Sequence, residues 1–291
     1  MSNNSDNTHN SIKIIQDIAV KNGYLLEFEV CQSIDKLINK QERSEIRMGE
    51  LIGRDNIEVD IIAAFFEKNY MIECKGAQEG TNLILVKAPK SICDKDNDTT
   101  KSYSSDVVCQ LVTKKHKLAS GRDINYRVIN FNIKDGQSAP YTINGNFHQM
   151  NSNKCFDSAD SRNNFYKAQQ QICQTMENFS PTPLIEGDNK PYPSIVIPII
   201  ATNADIWVID YETNSGSDIN PVIKQYDWAI HRVVNRSQNI KIITNSELQH
   251  TSPIMQVLIV NKHKIESLIK FLNTNIKIHN NSGQKLTVPT R

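Results

Sequence analysis

The chemistry-bearing stretch of this sequence is residues 58–76, in which an acidic residue, Asp60, stands in one apolar run and Glu73-Cys74-Lys75 closes the next. Residues 59–66 and 70–72 are rich in β-branched and aromatic side chains, and Glu67-Lys68-Asn69 between them has the length of a hairpin turn. Two antiparallel strands would bring Asp60 and Glu73 side by side. Two carboxylates held a few ångströms apart repel each other, and a hard divalent cation with oxygen ligands, Mg²⁺ with Mn²⁺ as substitute, relieves that repulsion. The period of two turns the Cys74 side chain away and leaves its backbone carbonyl as a third ligand. Lys75 returns to the metal face, where its ammonium can orient an attacking water or stabilise charge building on a phosphate.

This stretch resembles the PD-(D/E)xK superfamily of restriction-endonuclease-like nucleases, with Asp60 in the place of the motif's Asp and Glu73-Cys74-Lys75 as its (D/E)-x-K. Val59 replaces the Pro, as is common in the Mrr-like and resolvase-like branches. An ordinary hairpin with a surface ion pair would also carry an Asp and a Glu-x-Lys about a dozen residues apart. The rest of the chain therefore decides how much weight the motif bears.

The elements expected to position these residues follow from periodicity. Leu26, Val30, Ile34, Leu37 and Ile38 recur at spacings of three and four, which predicts a helix, and Glu27 falls at the edge of its buried face. Residues 23–30 are similar to the opening helix of Mrr-like nucleases, and the resemblance implies that Glu27 completes the metal site. A solvated Glu on an amphipathic helix is the plainer alternative. A strand at 48–53 and a turn through Arg54-Asp55-Asn56 lead into the strand of Asp60. Residues 164–179 return to helical spacing, with Phe165, Ala168, Ile172, Met176 and Phe179 on one face and Gln169 on the same stripe. A Gln there needs hydrogen-bond partners, in the core or beside it; the resemblance implies that Gln169 reaches toward the active site or the nucleic acid. The apolar runs 194–202 and 204–210 predict central strands buried on both faces, similar to the second strand pair of the superfamily.

The expected fold is thus α/β, a restriction-endonuclease-like core with a central mixed β-sheet flanked by helices. Residues 1–10, polar and rich in Asn and Ser, are expected to be a disordered tail. Residues 11–291 are expected to form a single domain, with an insertion at about 77–163 that parts the hairpin from the next helix. The insertion carries Lys114, Lys115 and Lys117, either a phosphate-contacting patch or a solvated helix end. Residues 226–272 are assigned to the flank of the domain, with a charged bend through Arg232 and Arg236.

With 33 basic and 32 acidic residues the chain is not a generally basic nucleic-acid binder. Six irregularly spaced Cys, no secretory signal and no apolar run of transmembrane length point to a reduced, cytoplasmic protein without a membrane partner. Seven scattered His make a zinc site unexpected. The function expected is that of a Mg²⁺-dependent endodeoxyribonuclease with DNA as partner; a role in defence against foreign DNA or in DNA repair is implied by the resemblance alone. The alternative is a catalytically silent module binding nucleic acid or protein on the same fold. Whether the chain forms a homo-oligomer is left open by the sequence.

Overall fold

The structure, a computed structural model, describes residues 13, 23–38, 44–52, 56–65, 68–77, 80–87, 110–112, 126–129, 141–142, 148–151, 154–156, 164–178, 194–211, 221–234, 240–243, 249–252, 254–275 and 277–280. Gly23, at φ +81°, turns the chain into α1 (Tyr24–Ile38), and the Glu27 N–H donates back to its carbonyl. Leu26, Val30, Ile34 and Leu37 are buried as the spacing requires. Each such side chain contributes roughly 1.5–3 kcal/mol against the entropy of fixing the helix.

Three strands follow in antiparallel order, β1 (Ser44–Ile52), β2 (Ile57–Phe65) and β3 (Lys68–Lys75). The strand after β2 begins earlier than expected, because Lys68 and Asn69 belong to β3 and are buried. Their polarity reads as turn chemistry, but Lys68 Nζ donates to the Asn273 carbonyl at 2.8 Å and Tyr70 Oη donates to Asn273 Oδ1 at 2.8 Å.

After β4 (Asn82–Val86) come five short strands: β5 (Gln110–Val112), β6 (Tyr126–Ile129), β7 (Tyr141–Thr142), β8 (His148–Asn151) and β9 (Lys154–Phe156). Then follow α2 (Asn164–Asn178), β10 (Ser194–Thr202), β11 (Asp205–Asp210), β12 (Val222–Tyr226), β13 (Trp228–Val234), β14 (Ile240–Ile243) and β15 (Gln249–Ser252). The chain continues through β16 (Ile254–Asn261), a 3-10 turn at Lys262–Lys264, α3 (Ile265–Asn275) and β17 (Lys277–Asn280).

The fold is α/β. Its main sheet runs β1-β2-β3-β10-β16-β13-β7 with β5 also on β10, and it is mixed, since β3, β10 and β16 are parallel. Pro198, which has no N–H to donate, falls in β10 between the end of β5 pairing at Val196 and the start of β16 pairing at Ile199. Val196, Ile197, Ile199 and Ile200 are buried on alternating sides of this strand, in agreement with the expectation of a central strand.

One core lies between the main sheet and α1 with α3, and a second joins the opposite face to α2. The second core also takes Leu83, Leu85, Ile206 and Val208 from a five-stranded sheet ordered β12-β11-β4-β8-β9. Here the structure departs from the sequence reading. β11 is not beside β10 in one sheet but pairs in parallel with β4, so the expected second strand pair is divided between layers. Strands at 82–86, 110–112 and 141–142, within the expected insertion, pair with β11, β10 and β13. The segment 254–261 is central, not a flank, and Arg232 lies within β13 and not in a bend. Arg236 and the 1–10 tail lie outside the described residues.

Candidate active site

Asp60 and Glu73 meet where β2 and β3 part. The paired register ends at Ile61 opposite Ile72, and its next step would set Asp60 against Glu73. Instead the Asp60 carboxylate enters the gap, and its Oδ2 accepts the Cys74 N–H at 2.6 Å. On the other side of β2, Met48 pairs with Ile61 and Glu50 with Val59, leaving Gly49 opposite Asp60 at φ +59°. A left-handed residue there kinks the edge strand. It coincides with a change of face in β2: Ile57 and Val59 pack toward α2, whereas Ile61, Ala63 and Phe65 pack toward α1.

Glu73 is 1 % exposed. Lys75 Nζ stands 2.7 Å from its Oε1 and pairs with it, whereas Oε2 has no hydrogen-bond donor among the described residues. A buried carboxylate in this condition is costly unless a cation completes it. Burial raises its pKa to about 7, with the Asp60 charge adding to the rise and Lys75 opposing it. Burial likewise raises Asp60, against the lowering effect of the Cys74 N–H and Lys75.

Glu27 on α1 lies near enough to feel the charges of Asp60, Glu58 and Lys75. Its pKa is raised to about 7, by burial first and then by the charges of Asp60 and Glu58. The cysteine behaves as the period of two requires: its side chain is buried in the core under α1, and burial pushes the thiol pKa well above its ordinary value. Gln169 is 4 % exposed on the face of α2 that packs against β3, with Ala168 and Ile172 as buried neighbours on the helix. Lys114, Lys115 and Lys117 lie outside the described residues.

Two residues went unnoticed in the sequence. Glu58, exposed, raises both Asp60 and Glu27; it stands two residues before Asp60, so strand periodicity was the signal. Asn203 exchanges two hydrogen bonds with Ala77, at 2.6 and 2.8 Å, which fixes the chain just after Lys75 against the end of β10. No local signal announces that pairing, since it joins positions 126 apart.

Among the described residues no group of three His, Cys, Asp or Glu side chains is gathered to hold a metal ion. Mg²⁺ asks for less, one or two carboxylates with water filling the remaining positions. The donor set fits such a cation: Glu73 Oε2 with no donor among the described residues, the second Asp60 oxygen, and all-oxygen chemistry with the thiol turned away. Among the described residues no helix is long and apolar enough to cross a membrane. Comparison with protein-family models, with curated proteins and with solved structures returned no match.

Proposed function

We propose that this protein is a Mg²⁺-dependent nuclease that hydrolyses phosphodiester bonds in DNA, on a restriction-endonuclease-like core. The observation that carries the reading is Glu73, a buried carboxylate paired to Lys75 through one oxygen and with no donor on the other among the described residues, set beside Asp60 where two strands diverge. Two carboxylates beside a single lysine leave a net negative charge that a divalent cation would offset. The order α1, β1, β2, β3 and then, after β4 to β9, α2 and β10 supports the core assignment, as does the parallel pairing of β3 with β10.

In this reading Asp60 and Glu73 hold the ion, with the Cys74 carbonyl as a further oxygen. When bound, Mg²⁺ supplies Lewis-acid polarisation of the phosphate and a more acidic water. Lys75, 24 % exposed in its side chain, stabilises the charge that develops on the phosphate. The Cys74 N–H orients Asp60, and Glu27 adds a carboxylate from α1 that supports the ion. Gln169, buried beside β3, positions the site from the opposite layer.

The test is cleavage of single-stranded, duplex and branched DNA, with RNA alongside, in Mg²⁺ or Mn²⁺. Lys75→Ala should fold normally and lose about 100-fold or more in rate. Asp60→Asn should stop turnover while binding persists. Full activity in chelator, or a near-native rate for Lys75→Ala, would overturn the mechanism. If no form is cut and Asp60→Asn binds as wild type does, the silent binding module replaces it.

A further inference from the structure

Tyr24, Leu25, Phe28, Met48 and Leu51 are five of the nine exposed large apolar side chains among the described residues. All five lie on α1 or β1, the two elements that border the acidic site. A helix turns 100° per residue, so the positions around α1 have distinct directions. Glu27 is on the flank toward β2 and the site. Tyr24 and Phe28, one turn apart and 58 % and 53 % exposed, form the outward crest.

The opposite flank of α1, from Glu29 to Lys36, borders a cleft of about 220 Å³ closed on its far side by Lys262 and His263. Lys262 is paired with Glu29, while Lys36 is exposed and makes no ion pair among the described residues. Crossing α1, one therefore passes from carboxylates, over two aromatic rings, to a cleft of two lysines and a histidine against one glutamate. A polyanion with accessible apolar faces matches that sequence of surfaces.

A duplex hides its base faces in the stack and asks for cations, which the crest does not offer. A second copy of this chain suits the crest less well. A twofold interface there would bring Glu27 and Glu58 toward their own copies, like charge against like.

We infer that single-stranded DNA crosses α1 beside the acidic site, its bases stacking on Tyr24 and Phe28 and a phosphate seated in the cleft of Lys36, Lys262 and His263. This rests on the nuclease reading for what happens to the strand, and it names the substrate class. The helix is about 10–12 Å wide, a span of roughly two or three nucleotides.

Binding is measured in Ca²⁺, which avoids turnover, with a short single strand carrying 2-aminopurine, the same sequence as blunt duplex, and its RNA equivalent. Wild type should bind the DNA strand at least about tenfold more tightly than the duplex and quench the fluorophore. Tyr24→Ala with Phe28→Ala should lower single-strand affinity about tenfold or more and abolish the quench, whereas Tyr24→Trp with Phe28→Trp should keep both. Lys36→Ala should reduce the salt dependence of binding by about one contact.

Equal affinity for duplex, tighter binding of RNA, or unchanged affinity in the alanine variant would each overturn the inference. A wild-type dimer that becomes a monomer on alanine substitution would overturn it in favour of a second copy. The nuclease reading fails separately: a strand bound through the crest but never cut in Mg²⁺ or Mn²⁺ removes that reading and leaves this one. Duplex cleavage indifferent to Tyr24 and Phe28 does the reverse.

Discussion

Glu73 lies in β3 between Ile72 and Cys74, both of them core residues, and its carboxylate must leave water with them. Burial, then Asp60, raises its pKa from 4.5 to about 7. A carboxylate that holds its proton more tightly folded than unfolded contributes stability that is complete below about 4.5 and is lost as the pH rises through about 7. Glu73→Gln removes that titration. Without divalent ions the variant should gain on wild type between pH 4.5 and 7, with the gap in melting temperature widening by about 5 °C. Mg²⁺ should close the gap by stabilising wild type alone. A gap that does not change with pH in thermal melts would refute the assignment. The comparison between variants is needed because His231, fully buried in β13, titrates the other way. Burial lowers its pKa from 6.5 to about 3, so its contribution is present above 6.5 and lost as the pH falls. At this scale Asp60, Glu73 and Lys75 were legible in the sequence, because carboxylates and a lysine at strand spacing in apolar runs have a chemical reason to be there. Glu58 escaped notice because an exposed Glu at a strand's start has many ordinary explanations.

The divergence of β2 from β3 is what makes room for the Asp60 carboxylate, and β1 shapes the other side of β2 through Gly49. At φ +59° a side chain is strained even though a Cβ there would meet only Glu58 Oε1, at 3.9 Å. Gly49→Ala should therefore destabilise the protein by about 1 kcal/mol, lowering the urea midpoint with little change in slope, and Gly49→Asn should cost less. No loss for either variant would mean that the kink carries no strain. Elements of regular period were legible: α1, α2, β2 and β10 lie where apolar spacing put them. Lys68 and Asn69 were not, because what makes them strand residues is Asn273, some two hundred positions away. A buried lysine satisfying a carbonyl near the C-terminal end of a helix has the composition of a turn and the energetics of a core contact.

Across the whole molecule, strands from distant parts of the chain alternate in one sheet. β3, β10 and β16 lie side by side although about 120 residues separate the first pair and about 50 the second. Residues 254–275 supply β16 and half of the buried helical residues of one core, Ile265, Leu268, Ile269 and Leu272. A chain ending at residue 253 should fail to fold, giving no cooperative thermal transition and little soluble material. A soluble, cooperatively melting product would show that the segment is an accessory after all. Sheet order was the least legible property. Near-continuous apolar runs say that a strand is buried on both faces, but they do not say which neighbours it takes, so β11 was given to the wrong layer.

Among the described residues the second sheet leaves β12 at one margin, with Val222 40 % and Ile223 57 % exposed and a ladder to β11 on one side. β1, the corresponding margin of the main sheet, carries Glu45, Arg47 and Glu50. Charges of that kind discourage another strand from docking, whereas β12 sets the β-branched pair Val222 and Ile223 beside a single charged residue, Lys224. At high concentration this margin, remote in sequence from residues 58–76, is where another strand would find open backbone groups.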